Sequence, residues 1–463
     1  MRQFSGPRMF PLIGNTWYLV KPEDRLTNLT NAYRSYGSRV AFSAGHLKGL
    51  LLVHPDDVGK ILSSREMNKS SLYDLIFKDW LGSSIFYAKG KKYFEMRKTL
   101  SPAFEFKQIY TFERYFNEQA KNLVNILKQH ETDGQVTEIR WLFALCAYDI
   151  ILQYVTGKSM GFLKRGDSTY AAAVHNELKL VFKRGWQPWL WPNWTWRISP
   201  LGREENANRK LLQSFMNQIF EDRKAEMTSA GFNLHDKLNF LDLLIGEQLR
   251  GVHEITDDYI REETSGAIFA GHDTVASTLT FTTFLMASNP DEQAKLHQEL
   301  DEVFGEDRER DVESSDRPKL KYLECCIKEA MRLYPPAPFL IRAPEPGFKL
   351  DENTTIPEGV EVMLSGWVTQ RLPEFFPDPD EFRPSRFFPE NCIGRHPYCY
   401  FPFSAGPRNC MAQKIALANV KTILAHIFRN FTVELVSPVE TVIPVGELVM
   451  FPKNGLQIKL RSR

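Results

Sequence analysis

One cysteine stands where its sulfur could do chemistry. In Phe403-Ser-Ala-Gly-Pro-Arg-Asn-Cys410, glycine at 406 permits the positive φ of a tight turn, and Arg408 offers a permanent cation. Cys410 then precedes a strongly helical stretch, 412–428. A cysteine at a helix N-terminus meets unsatisfied N–H groups and the positive end of the helix dipole, so the spacing predicts a thiol of lowered pKa. A thiolate is a soft, electron-donating ligand, and on iron it favours O–O cleavage. Two plainer readings stand beside this one. Cys410 could be a structural residue packed ahead of a helix, or a zinc ligand with Cys392, His396 and Cys399. The zinc spacing, Cys-x3-His-x2-Cys-x10-Cys, matches no common structural pattern.

Three further constellations lie upstream. Ala270-Gly-His-Asp-Thr274 falls inside a long helical pattern, and glycine in a helix interior costs up to about 1 kcal/mol relative to alanine. Gly271 therefore needs a reason. Close helix packing is one; room for oxygen over a flat cofactor is the other, with Asp273 and Thr274 handing on protons. Glu329 and Arg332 share a helix face in Lys328-Glu-Ala-Met-Arg-Leu-Tyr-Pro-Pro336; an exposed pair of this kind is worth only a few tenths of a kcal/mol. Tyr93 and Arg97 share a face at i,i+4. Arg97 and Arg342 are surface arginines by default.

Helices must carry most of these groups. Apolar residues recur at spacings of three and four over 23–36, 55–63, 105–130, 138–157, 205–228, 257–288, 290–304 and 318–333. Thr256-Asp-Asp reads as a helix start and Asn289-Pro290 as a break between two helices. Short strands are expected at 40–43, 49–53, 360–364 and 457–460. Proline and aromatic residues crowd 335–408, which reads as coil leading to the cysteine. The expected fold class is mainly α with small β-sheets. No linker or repeat divides the chain, so residues 1–463 are expected to form one catalytic domain.

Composition narrows the function. At 43% hydrophobic and 25% charged, with a net charge of +1, the chain is no general polyanion binder, and nucleic acid is not expected as a partner. Six cysteines without a Cys-x-x-Cys pair read as reduced thiols. No run of about 18 apolar residues exists to span a bilayer. The Pro/Gly-rich opening, Phe4 to Asn15, reads as the entry to a globular body: either the protein is soluble or an anchor precedes residue 1.

Taken in order, these segments resemble the cytochrome P450 superfamily. The cysteine loop matches its haem signature at Phe403, Gly406, Arg408 and Cys410, and departs at Ala412, where glycine is usual. Ala270–Thr274 matches the oxygen-activation motif at all five positions, with His272 in the variable slot. The resemblance implies the P450 fold, with haem b between the long central helix and the cysteine loop. It implies Cys410 as iron ligand, and Tyr93 (for the usual tryptophan), Arg97, Arg342 and Arg408 around the propionates. It places Ala270 and Gly271 over the haem and Asp273 and Thr274 in proton delivery. It also implies a buried structural triad of Glu329, Arg332 and Arg386, the last from Phe382-Arg-Pro-Ser-Arg-Phe387.

Local wording is similar to the family-four clan, the microsomal fatty-acid ω-hydroxylase group. It includes Trp80-Leu-Gly82, Leu100-Ser-Pro-Ala-Phe-Glu-Phe106, Phe240-Leu-Asp-Leu-Leu244 and Phe387-Phe-Pro-Glu-Asn391. Many of those enzymes have glutamate where Ala270 stands, forming an ester with a haem methyl. Alanine cannot, so the expected haem is held only by the Cys410–iron bond and non-covalent contacts. Implied partners are O2, an NADPH-dependent reductase with cytochrome b5 beside it, and a hydrophobic fatty acid, other lipid or xenobiotic. Lys91, Lys92, Lys98 and Lys414 could dock the reductase, or form a solvated face. Substrate contacts are expected from 72–86, 265–274, 339–340 and 445–450. Five tryptophans between Trp186 and Trp196 are either loop packing or an interfacial belt on the cytosolic face of the endoplasmic reticulum. Rival functions are a P450-like isomerase or dehydratase, disfavoured by the intact Asp273-Thr274, and a non-catalytic haem- or zinc-binding protein.

Overall fold

In the computed structural model, residues 3–105, 107–166, 169–230, 239–252 and 254–463 are described; Phe106 of the 100–106 segment lies outside them. The chain is mainly helical, and each helix predicted from periodicity is present. The first is Pro22–Tyr36 and the longest is Asp257–Ser288, where the Thr256 hydroxyl accepts from Tyr259 N at 3.1 Å. That last bond is the N-cap that Thr256-Asp-Asp predicts.

The long helix is the axis of the molecule. It packs most extensively against Ile139–Thr156, and also against Lys321–Leu333 and Gln413–Asn430. The approach to Ile139–Thr156 is close because a Cβ on Gly271 would lie 2.4 Å from the Ile151 side chain. Ile139–Thr156 is apolar and long enough to cross a membrane by composition, but most of it is buried inside the fold. Its apolar residues point to all sides, the mark of a central core helix.

Among the described residues, three small sheets flank this bundle. The largest has five strands, with Arg39–Ala44, Leu47–Leu52, Val360–Ser365, Phe339–Pro344 and Met67–Lys69 as neighbours in that order. Val360–Ser365 is the strand expected at 360–364, whereas Phe339–Pro344 was expected as coil. It went unrecognised because the five residues between Pro338 and Pro344 show no usable period. Helix Thr169–Gly185 was also unforeseen; Glu177 and Arg184 are buried in it, so charged residues interrupt its apolar face.

Candidate active site

Cys410 hangs from a loop whose backbone tolerates no other shape. Its N–H donates to Phe403 O at 2.9 Å, and Ser404 N–H donates to Phe401 O. Gly406 has φ +67°, and a Cβ there would sit 2.0 Å from Leu62 O, so the glycine is required on two counts. Cys410 keeps exposed surface, yet desolvation by the surrounding protein pushes its thiol up; the Ala412 backbone and Arg97 pull the other way and lose. This corrects the expected lowering. The helix begins only at Gln413, so Cys410 lies outside its first turn, where the dipole has faded. The fold alone keeps a neutral thiol, and a metal's positive charge must supply the thiolate.

The long helix, otherwise buried around 270, shows one accessible stripe: Ala267, Ala270, Gly271 and Thr274. Those positions share a face, and small side chains leave a hollow before them. Thr274 Oγ1 donates to Ala270 O at 2.9 Å, and Asp273 is buried beside it. His272 turns away from the stripe, stacking on Tyr148 with ring centroids 3.9 Å apart and Nδ1 3.1 Å from Ile268 O. Gly271 answers helix packing, because its missing Cβ would strike Ile151; the room over the hollow comes from Ala267 and Ala270.

Cations converge without an anion. Arg97 bonds Tyr93 Oη at 2.7 Å, Pro407 O at 3.0 Å and Asn409 O at 2.9 Å, pinning the Gly90–Leu100 helix to the cysteine loop. Arg408 lies 4.0 Å over the Tyr93 ring and donates to Ala88 O, yet its buried Nε has no hydrogen-bond partner. Arg342 is 1% exposed and reaches Ser404 Oγ only at 3.4 Å. Lys69 joins them, its ammonium 4.9 Å over the Phe86 ring; burial, then Arg342 and Arg408, push it well below its ordinary value. Among the described residues none of the four pairs with a carboxylate. So much unpaired buried positive charge is tolerable only beside an anionic guest. A haem offers two propionates for these cations, an iron for the sulfur and a flat face for the alanine stripe, so the residues fit it. Lys69 carries no motif that reading the chain could have found.

The charge triad is present and buried. Arg332 grips Glu329 through Nε and Nη2, both at 2.8 Å, with both side chains fully buried. Arg386 Nε stands 3.2 Å from Glu329 Oε1 without hydrogen-bond alignment, so that contact is ionic. Gln370, unforeseen, links the triad to the cysteine loop: its Nε2 donates to Arg332 O and its Oε1 accepts from Phe401 N at 2.9 Å. The zinc reading finds no support, since no three His, Cys, Asp or Glu side chains gather among the described residues.

A family model for cytochrome P450 matches residues 4–460. The chain belongs to the cytochrome P450 family. Among curated P450s it is similar to cytochrome P450 4V2 of Mus musculus, 37% identical over 99% of this chain and 89% of that one. The Homo sapiens 4V2 is 36% identical over 98% and 89%. Cytochrome P450 4c3 of Drosophila melanogaster is 31% identical over 100% and 90%. The family-four resemblance is thereby shown, and with it a P450 monooxygenase holding haem b through a cysteine thiolate. Cys410, on the loop described above, is the candidate for that thiolate, and the Ala270 methyl offers no carboxyl for an ester.

In this P450, Leu72, Tyr73, Ile76, Phe339 and Leu448, all from stretches expected to contact substrate, line one cavity with Phe182 and Trp186. A second cavity shares Leu72, Gly185, Trp186 and Ile341 and is also lined by Phe42, Leu51 and Lys48.

Proposed function

We propose that this monooxygenase hydroxylates long apolar chains, fatty acids foremost, near the methyl end. What supports the reading is a pair of apolar cavities that share Leu72, Gly185, Trp186 and Ile341 in their walls, the second also lined by Lys48. An apolar chain with one anionic end suits that lining. The haem supplies oxygen activation when bound. Cys410 ligates the iron, and Arg97, Arg342, Arg408 and Lys69, with Tyr93, hold the propionates. Ala270 and Ala267 leave space above. Asp273 and Thr274 pass protons from the helix interior to the hollow. Residues 1–463 act as one catalytic unit, in keeping with a core that runs from Leu26 to Leu460. With reductase and NADPH, dodecanoic acid is expected to give oxygen-dependent hydroxylation matched by NADPH use, spread over more than one carbon near the chain end. Turnover without NADPH would point to the isomerase reading, and inertness towards every fatty acid would remove this substrate class.

The location we infer is the cytosolic face of the endoplasmic reticulum membrane. Of the five clustered tryptophans, Trp186, Trp191 and Trp196 are buried, the plain packing role. Trp189 and Trp194 are 52% and 68% exposed, and Ile198 beside them 67%. Leu12 and Trp17 are exposed too, on a segment tied to the same pair of strands as the tryptophan cluster: Asn15 N–H donates to Ser43 O, and Trp191 meets His46 edge to face. Aromatic and aliphatic side chains left in water on neighbouring segments suit a lipid interface. Replacing Trp189 and Trp194 by serine is expected to weaken binding to phospholipid vesicles severalfold without loss of haem. Unchanged vesicle binding would sink the idea. Lys91, Lys92, Lys98 and Lys414 are exposed and form the proposed docking face for an acidic reductase or cytochrome b5.

A further inference from the structure

Two adjacent carboxyls on the long helix, used by nothing above, hold a loop. Glu262 Oε2 accepts from Ser83 N at 2.8 Å and Ser83 Oγ at 3.0 Å. Glu263 Oε1 accepts from Ile85 N at 2.6 Å, and its Oε2 lies 3.3 Å from Ser84 Oγ. Two glycines make the clasp possible. A Cβ on Gly82, at φ +53°, would fall within the Glu262 carboxyl, and a Cβ on Gly266 would lie 2.7 Å from Ser84 Oγ.

What the clasp holds is Phe86. Its ring lies 5.4 Å from Phe269, the residue before Ala270, and 5.2 Å from Phe77, while Lys69 sits on its face. Phe86 thus bridges the cation cluster and the accessible stripe of the long helix. Glu263 itself is 1% exposed and has no cation in contact. Burial raises its carboxyl to about 8 against the Ile85 amide and the Ser84 hydroxyl, so it is mostly neutral at pH 7 and can also donate. A neutral acid can bridge an N–H and a hydroxyl with no buried charge.

We propose that the Glu262–Glu263 clasp determines specificity: by seating residues 83–86 on the long helix it fixes how far Phe86 stands from Phe269, and so how wide a molecule reaches the reacting centre. Glu263 is a positioning residue, acting through Ile85 and Phe86. The proposal rests on the monooxygenase assignment and not on the fatty-acid reading.

The test needs no substrate. Imidazole and 1-phenylimidazole bind haem iron directly and are titrated into the holoprotein by the shift of the Soret band. In Glu263→Ala the affinity of the bulky ligand relative to the small one is expected to rise about five- to tenfold, the weight of one aromatic contact. Glu263→Gln, whose amide can still accept from Ile85 N and donate to Ser84 Oγ, should keep the wild-type ratio. Gly266→Ala leaves both carboxyls in place, favours the helix and pushes Ser84 away, so it should reproduce the relaxed ratio. It also carries the test alone if Glu263→Ala does not load haem. A wild-type ratio in Gly266→Ala, or an equal loosening in Glu263→Gln, overturns the proposal. Because these ligands report on pocket width alone, the outcome stands whether or not dodecanoic acid is oxidised.

Discussion

Replacing Cys410 by serine is expected to abolish the strongly red-shifted Soret band of the reduced carbon monoxide complex while leaving a folded chain. The fold does not depend on the sulfur. The loop is shaped by Gly406, by the Cys410 N–H to Phe403 O bond and by Arg97 on Pro407 and Asn409, none of which involves the side chain. The chemistry does depend on it. Burial already pushes the Cys410 thiol up, so the thiolate exists only with help from the iron. A serine hydroxyl starts from a far higher pKa and would stay neutral in the same surroundings. Loss of groups that merely orient a ligand costs about 10–100-fold. Loss of the ligand itself is expected to exceed about 100-fold in NADPH-supported turnover. A serine variant that kept the red-shifted band would mean that Cys410 is not the ligand.

The second large effect is expected at Glu329, whose change to alanine should prevent recovery of haem-loaded protein. It leaves Arg332 and Arg386 buried and without their carboxylate. Breaking a buried pair by removing one partner costs about 3–5 kcal/mol, against a total stability of about 5–15 kcal/mol. Arg332→Lys should fare little better, because Nη1 donates to Gln370 O and Pro379 O and Nη2 to Glu381 O, a fork that an ammonium cannot reproduce. Lys295→Ala provides the contrast. Its ion pair with Glu292 has the same i,i+3 spacing but is exposed on the lysine side, and its removal, which leaves the Tyr322 hydroxyl on Glu292, should cost less than about 1 kcal/mol. Thermal unfolding and haem content of the three variants check this ordering. An Glu329→Ala protein that melts with wild type would remove the triad's structural role.

Those two pairs show what could be read from the chain and what could not. Glu329–Arg332 and Glu292–Lys295 look alike as spacings; only burial, set by residues 370–386, separates them. Elements governed by local physics were legible, such as the Thr256 cap, the long helix and the Gly406 turn. Groups whose meaning arises from distant partners were not. Lys69 gains its role from Arg342 and Arg408, and Gln370 from Phe401 and the triad helix. Neither contact leaves a periodic trace. The Cys410 thiol was misjudged for a related reason: proximity to a helix start is local, whereas the burial that outweighs it belongs to the whole fold. Gly271 satisfied both readings by type, and only the Ile151 contact decided for packing.

The Thr274 hydroxyl has only one hydrogen, and the backbone holds it. With that hydrogen turned along the helix to Ala270 O, the oxygen shows the hollow its lone pairs. At rest this side chain is therefore a Lewis base towards whatever occupies the hollow. To donate towards the hollow it must rotate about Cβ–Oγ1 and give up a bond worth about 1 kcal/mol, less than twice the thermal energy. An occupant of the hollow that accepts hydrogen bonds better than an amide carbonyl can thus reverse the polarity of this wall by its arrival alone.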